Sequence, residues 1–393
     1  MPVLDGPFFP GAGTSPWRLE GREEEIRLWE RVMADFAMFG RTQARHLVIQ
    51  GVRGVGKTSL LKEFAETALR EGCLAIRVRC QSSGRESLMD RIRASLDQAL
   101  EQEQPTRRSA VTGVEVRTPL GGFGLERQVS EADPTLLDSA FMGSVLAATA
   151  QVVHRGGIGL AILVDETQYA DRRSLVNLSE LVSVIGEQDA DRPPFHLAFA
   201  GLPKDTAAKV TRSSSHAERV YRRIDLGHLD PDSARDALQL PVQAAGGRWT
   251  EPALDLAVEA SGCYPAFIQE YGAAIWELRH TDEQGIAVLD ERVAARGIEL
   301  AGPQIESYFD AAWEAAPPLG RQCLVALAEA GGQLRMGELA SAVGKSSSSE
   351  ISWVVDDLTR RGTCLKPARG VVVFGRAGMQ DWVLERAADE GIA

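Results

Sequence analysis

From His46 to Ala200 the apolar residues fall into two kinds of run. Short ones predict strands: His46-Leu-Val-Ile-Gln50 and the unbroken Gly159-Leu-Ala-Ile-Leu-Val164 have the length and continuity of strands buried in a parallel sheet, and Leu74-Ala-Ile-Arg-Val-Arg79 and Phe195-His-Leu-Ala-Phe-Ala200 read as further strands. Between them apolar residues return every three or four positions. Glu23 to Phe39, Ser59 to Arg70 (Leu60, Leu61, Phe64, Leu69) and Arg85 to Gln102 (Leu88, Ile92, Leu96, Leu100) each predict an amphipathic helix. Another helix is expected from Asp133-Pro134 to about Arg155. Alternation around Pro119, Gly121 and Gly122 predicts a hairpin inserted at about 107–129, either a partner-binding insertion or a flap over a sheet edge.

The pattern changes at Asp230-Pro-Asp-Ser-Ala, a helix-start signal followed by three or so amphipathic helices reaching Arg279. Residues 280–316 read as a connector with further helices, closed by Pro317-Pro318, the clearest boundary signal in the chain. Beyond it come helices at Leu319–Ala330, Met336–Val343 and Ser348–Arg361, two strands around a Pro367-Ala-Arg-Gly370 turn, and a last helix carrying Trp382 and Leu384. Three domains follow: an α/β core over 1–228, a helical segment over 229–316 and a C-terminal domain over 317–393.

The loop after the first strand carries the most specific chemistry. Gly51-Val-Arg-Gly-Val-Gly-Lys-Thr58 has the G-x-x-x-x-G-K-T spacing of a phosphate loop. Glycines allow the tight turn that aims backbone N–H groups at a β-phosphate, and the following helix adds its positive N-terminal end. Gly51, Gly54, Val55 and Gly56, with Lys57, Thr58 and Ser59 at the helix start, are the candidate contacts to ATP or ADP. Lys57 reaches the β- and γ-phosphates and Thr58 ligates Mg²⁺. Asp165 and Glu166 stand at the C-terminal end of the 159–164 strand, the edge at which open α/β sheets bind ligands. Asp165 is the candidate for the Mg²⁺ shell, and Glu166 for orienting the attacking water in phosphoryl transfer.

With these residues in place the chain resembles the AAA+ and STAND-like P-loop ATPases, in particular those related to the origin-recognition initiators. The resemblance rests on Leu19-Glu-Gly-Arg-Glu-Glu24, the phosphate loop, Val164-Asp-Glu-Thr-Gln-Tyr169, Leu197-Ala-Phe-Ala-Gly-Leu-Pro203 and Gly262-Cys-Tyr-Pro265. It implies a parallel-sheet core, an α-helical lid over 229–316 and a C-terminal winged helix. It also implies that the entry segment, including Trp17, Arg18, Leu19 and Arg22, approaches the base, and that Pro265 approaches the nucleotide in the closed state. The Gly-x-x-Pro segment stands where many relatives keep a lid arginine, which favours a nucleotide-controlled switch with slow hydrolysis over a fast motor. The strand end Ala200-Gly201-Leu202-Pro203 lacks the polar residue with which such ATPases sense the γ-phosphate. Arg219 is the candidate for an arginine donated to a neighbouring copy, with Arg222 or Arg223 as substitutes, all three read near the end of a helix.

Composition narrows the partners. The 393 residues carry a net charge of -12, and from Leu319 to Ala393 nine basic residues face nine acidic ones. Nucleic-acid binders usually show a basic stripe. Two readings of the C-terminal domain stay open: duplex DNA held through 345–370, with Ser347, Ser348 and Ser349 on the third helix and Lys366 and Arg369 on the wing, or a protein-docking or autoinhibitory module serving a protein partner or self-assembly; a nucleotide-gated scaffold that does not hydrolyse ATP is a further alternative for the whole chain. No apolar run approaches a membrane span, no signal peptide is apparent, and a cytoplasmic location is expected. Five scattered cysteines without C-x-x-C spacing are expected as buried thiols, and Mg²⁺ is the only metal expected.

Overall fold

The computed structural model describes residues 6–11, 13–42, 45–81, 86–102, 137–187, 192–203, 206, 210 and 217–392. The expected hairpin at 107–129 and the Asp133-Pro134 helix start lie outside them. Contacts divide the chain into two compact units, one of Arg22–Gly51 and Lys57–Leu226, the other of Met1–Gly21, Val52–Gly56 and Gly227–Ala393.

The first unit is a five-stranded parallel sheet: β1 (His46–Gly51), β2 (Cys73–Arg79), β3 (Gly159–Asp165), β4 (Phe195–Gly201) and β5 (Tyr221–Leu226), in the order β2-β3-β4-β1-β5. The three inner strands β1, β3 and β4 are buried almost end to end, as their unbroken apolar runs require, while β2 alternates buried and exposed positions toward its end. Helices α1 (Glu23–Phe39), α2 (Lys57–Arg70), α3 (Leu88–Gln102), α4 (Ser139–His154) and α5 (Arg172–Glu187) accompany the sheet. Glu23, Glu24 and Glu25 occupy the first turn of α1, where carboxylates suit the positive helix end, and Gly40 closes it at φ 61°. Its Trp29 stacks on Phe64 of α2 at 4.7 Å and donates its indole N–H to the Phe64 carbonyl at 2.7 Å.

Local capping sets the start of several helices. Asp138 is extended and accepts from the Phe141 N–H at 2.8 Å, so α4 begins at Ser139. Asp171 accepts from Ser174 N–H at 2.8 Å and from Leu88 N–H at 3.1 Å, so one carboxylate serves the first turns of both α5 and α3. Burial pushes its pKa up, but the bonds from Ser174 and Leu88 outweigh that and hold it below the usual carboxylate value. A larger correction concerns Arg219, Arg222 and Arg223. Only Arg219 is helical, in the single turn α6 (Ala217–Val220), whereas Arg222 and Arg223 lie on β5. The sequence Tyr-Arg-Arg-Ile-Asp-Leu serves an edge strand, burying Tyr221, Ile224 and Leu226 and exposing both arginines.

In the second unit, α7 (Pro231–Ala244) starts on Asp230, whose carboxylate accepts from Ser233 N–H at 2.9 Å. It is followed by α8 (Glu251–Ser261), α9 (Pro265–Glu277) and the long α10 (Glu291–Glu314). Three short strands unseen in the sequence, β6 (Gly247–Trp249), β7 (His280–Thr281) and β8 (Ala287–Leu289), form a small sheet in the order β6-β8-β7. The N-terminal lead packs here, with Phe8 buried and Phe9 N–H donating to Gln269 on α9 at 3.0 Å. Then come α11 (Pro318–Glu329), α12 (Met336–Ala342), α13 (Ser348–Arg361) and α14 (Met379–Glu390). A sheet in the order β10-β11-β9 joins β9 (Gln333–Arg335) to the expected hairpin strands β10 (Cys364–Leu365) and β11 (Val371–Phe374). Trp313 of α10 meets Trp382 of α14 edge-on at 6.1 Å and donates to Glu390 at 3.1 Å. Four cysteines are buried, as expected, and Cys263 is partly exposed. No helix among the described residues is long and apolar enough to cross a membrane.

Beneath the sheet two imidazoles are buried together, His46 and His196, with ring centroids 4.9 Å apart. His46 Nδ1 accepts from the Leu197 N–H at 3.0 Å, and burial pushes its pKa from 6.5 down to about 3. A depressed folded value means that between those two pH values the unfolded chain binds more protons than the folded one. Stability is therefore expected to fall as pH drops below 6.5, approaching a slope of about 1.4 kcal/mol per pH unit from this histidine. Denaturant melts from pH 7 to pH 5 check this: His46→Asn, which keeps an acceptor for Leu197, is expected to flatten the pH dependence.

Candidate functional site

Each functional side chain emerges where a buried strand stops. β1 is apolar and buried until Gln50 and Gly51, and the chain then turns through Gly54 at φ 80° and Gly56 at φ 94°, the left-handed region that favours glycine. A Cβ on Gly56 would meet nothing within 4 Å, so the inside of the turn opens onto a space, whereas one on Gly54 would strike the Tyr264 phenol. Helix α2 begins at Lys57, which points its backbone N–H groups into the turn. The Lys57 ammonium is buried and donates to the Gly51 carbonyl at 2.9 Å. Val55 is fully buried and Ser59 nearly so.

On β3 every residue through Val164 is buried, and Asp165 is the first to reach partial exposure. Its Oδ2 accepts from Thr58 Oγ1 at 2.8 Å and its Oδ1 from the Glu166 N–H at 2.9 Å. Thr58 and Asp165, the two candidate Mg²⁺ ligands, thus already touch across 107 residues of chain. A hydroxyl and a carboxylate oxygen so placed are the hard oxygen donors that Mg²⁺ takes in nucleotide sites. Among the described residues no group of three or more histidine, cysteine or carboxylate side chains is arranged to hold a metal ion.

Glu166 adopts φ 55°, ψ 41°, an uncommon left-handed conformation for a residue with a side chain. A 3₁₀ turn, Thr167–Tyr169, follows it. Thr167 is fully buried and donates to the Ala200 carbonyl of β4 at 3.0 Å, fastening the turn to the neighbouring strand. Gln168 Nε2 donates to Glu166 Oε2, while Gln168 Oε1 accepts from the Leu202 N–H at 3.2 Å. Arg79, at the end of β2, lies 3.8 Å from Glu166 Oε1. Sequence reasoning missed Gln168, Thr167 and Arg79. The signal for the first two was their place directly after Glu166, and for Arg79 the expected end of the strand beside β3.

The remaining candidates lie on other segments of the chain. Arg219 is exposed on α6, and exposed Arg223 is paired with Asp225 at 3.0 Å. Arg22 is buried at the start of α1. Leu19 is partly exposed and Trp17 is 52% exposed. In the second unit Gly262 and Cys263 both turn at positive φ, and Pro265 opens α9. The residue here that reaches the phosphate loop is Tyr264, which is buried and donates to the Arg53 carbonyl. Burial raises the pKa of this phenol, keeping it a donor. The guanidinium of Arg376, which donates to the Tyr308 carbonyl at 2.8 Å, lies 5.9 Å from the centre of the Tyr264 ring. Gly362 packs so closely on Val52 that a Cβ there would overlap the valine side chain.

A phosphate loop and a strand-borne Asp-Glu pair on a five-stranded parallel sheet define a P-loop nucleotide-binding protein. More narrowly, residues 18–194 match a family model described as the AAA ATPase domain. Residues 306–383 match a domain of unknown function, DUF8462. No curated protein matches the chain in sequence. Among solved structures it is similar to the ORC2 protein of Aeropyrum pernix, described in complexes with ADPNP and ADP: TM-score 0.59, 15% identity, covering 96% of each chain. It is also similar to the Walker-type ATPase PABY2304 of Pyrococcus abyssi, with TM-score 0.56 and 15% identity over 93% of this chain and 96% of that one. Identity this low speaks to the fold.

Lys57→Ala removes the buried ammonium from the loop and is expected to weaken ATP binding by about 100-fold, the equivalent of about 3 kcal/mol. Titration with a fluorescent ATP analogue measures it, and a circular dichroism melt separates lost binding from lost folding.

Proposed function

We propose that this protein is a nucleotide-controlled switch that binds Mg·ATP, hydrolyses it slowly and signals its state through residues 317–393, read here as a winged helix. The observation that carries the reading is the contact of Thr58 with Asp165 beside Glu166, with Lys57 buried at the start of α2. In this reading Lys57 gives up its bond to the Gly51 carbonyl and turns to the β- and γ-phosphate oxygens, assisted by the N–H groups of the loop and of α2. Thr58 and Asp165 hold Mg²⁺, which when bound neutralises charge on those oxygens. Glu166 orients the attacking water in line with the leaving diphosphate and accepts its proton. Leu19 and Arg22 serve the base side, and Arg219 is presented to a neighbouring copy in a self-assembly.

The switch part is supported by Tyr264 and Gly362, which contact Arg53 and Val52 of the loop and belong to the unit that includes 227–393. A loop that rearranges around phosphate changes both contacts, and Pro265, one residue on, moves with them. A protein partner is favoured over DNA by the pairing of the C-terminal cations. Lys366 is bound to Asp356 at 2.7 Å, and Arg360 and Arg361 to Asp357 at 2.8 and 2.7 Å. Phosphates would have to displace these carboxylates.

Two tests follow. Glu166→Gln is expected to retain ATP affinity within about twofold and to lose turnover by about 100-fold or more, read as phosphate release under saturating ATP. Turnover equal to the unaltered protein would remove Glu166 from the reaction. Held with ATP, the same variant is expected to bind duplex DNA no better than the ADP form at low salt; ATP-dependent binding that weakens steeply with salt would instead establish a DNA-bound regulator.

A further inference from the structure

The strand end that lies between the phosphate loop strand and the Asp165 strand has no polar side chain of its own. β4 finishes at Ala200-Gly201 and continues as Leu202-Pro203, so no group from this strand can reach toward the chemistry as a side chain. Gln168 and Thr206 occupy the space instead. A Cβ on Gly201 would collide with Gln168 Oε1 and with Thr206 Oγ1, so the missing side chain and the glutamine compete for one place. Gln168 fills that place with both ends of its amide engaged. Its carbonyl oxygen accepts from the Leu202 N–H at 3.2 Å, and its NH₂ donates to Glu166 Oε2.

From this geometry we infer that Gln168 is a positioning residue for the hydrolytic step: it ties the Glu166 carboxylate to the backbone end of β4, a task that the residue at Gly201 cannot perform. The inference rests on the reading of Glu166 as the group that orients water. Three observations support it beyond the two hydrogen bonds. Glu166 is held at positive φ, so its backbone gives the carboxylate a direction that an ordinary turn would not. Thr167, between the two residues, is anchored to Ala200 at 3.0 Å, which fixes the base of the bridge to the same strand as its far end. The other partner of the carboxylate, Arg79, is 68% exposed and 3.8 Å away, too loose to orient it alone. The amide has the right chemistry for the task. It is uncharged, so it leaves the carboxylate anionic, and it bonds one oxygen while the other remains available to water.

The experiment compares steady-state turnover, KM and affinity for a fluorescent ATP analogue in four full-length proteins: unaltered, Glu166→Gln, Gln168→Ala and Gln168→Glu. Gln168→Ala is expected to lower kcat by about 10- to 100-fold, the usual loss when a residue orienting a functional group is removed, with KM and affinity within about twofold. Gln168→Glu preserves the size of the side chain and an oxygen for Leu202 but cannot donate to Glu166 when ionised. It is expected to be at least as slow as the alanine variant. Unchanged or raised kcat in Gln168→Ala overturns the inference, and so does wild-type kcat in Gln168→Glu, which would place the role of the residue in holding β4. A loss of kcat that travels with an equal loss of ATP affinity and melting temperature also overturns it. The two readings fail separately. A Glu166→Gln protein as fast as wild type removes the base and this inference with it, whereas a slow Glu166→Gln beside a fast Gln168→Ala removes Gln168 alone.

Discussion

The candidate site depends on the register of three parallel strands. β4 lies between β1 and β3, with Gln50 opposite Gly201 on one side and Val164 opposite Phe199 on the other. That alignment brings the ends of all three strands to one level, so that Thr58, one residue into the helix after β1, meets Asp165 at the end of β3. A slip of one residue on β3 would turn Asp165 to the opposite face of the sheet and leave Thr58 without its partner. Burial guards against the slip. The residues of β3 from Gly159 to Val164 are buried, so displacing them would expose leucine and isoleucine and draw the carboxylate inward.

The same logic explains what could be read from sequence. The inner strands β1, β3 and β4 carry a one-dimensional signal because both faces are apolar, and with the edge strand β2 the four runs from His46 to Ala200 emerge with ends within a residue or so of expectation. The P-loop spacing and the Asp-Glu pair follow from those strands. β5 was hidden because it is an edge strand whose exposed positions are two adjacent arginines, a composition shared with a solvated helix. The strands β6 to β9 were hidden because two or three residues carry no periodicity. Gln168 is a third kind of omission. Its identity was in view next to Glu166, but its role lies in reaching Leu202, 34 residues away in the chain, and in the absence of a side chain at Gly201. Tertiary contacts of that kind have no local signature.

Glycine enters the loop for two different reasons. Gly56 requires freedom to turn at φ 94° around an open space, and a larger residue would be opposed by backbone strain and by filling that space. Gly54 also turns at positive φ, but it is hemmed in by Tyr264 and Ala266, so its lack of a Cβ is what lets the phenol reach the Arg53 carbonyl. The P-loop pattern therefore carries two demands at once: one glycine turns beside open space, the other faces a segment of the same unit that includes Pro265. A motif scan reads both as phosphate-loop residues and cannot separate these demands.

The C-terminal segment shows how an apparent binding surface can already be used by its own fold. The serine run before α13 does not face outward as a set of idle donors. Ser346 Oγ donates to Glu350 at 2.7 Å, Ser347 N–H to the same carboxylate at 3.1 Å, and the hydroxyls of Ser347 and Ser349 lie 2.6 Å apart, an arrangement that starts the helix. The bonds from Ser346 and Ser347 hold the Glu350 carboxyl below its ordinary pKa, so the negative charge at this helix start persists to lower pH. A phosphate approaching the same serines would meet that carboxylate, and on the next turns Asp356 and Asp357. What α13 leaves in water is Trp353, 57% exposed among paired charges. An exposed indole surrounded by neutralised charge suits association through area and shape more than through counterion release. This segment is neutral in a chain of -12, and Lys366, Arg360 and Arg361 spend their charge on carboxylates of α13 itself.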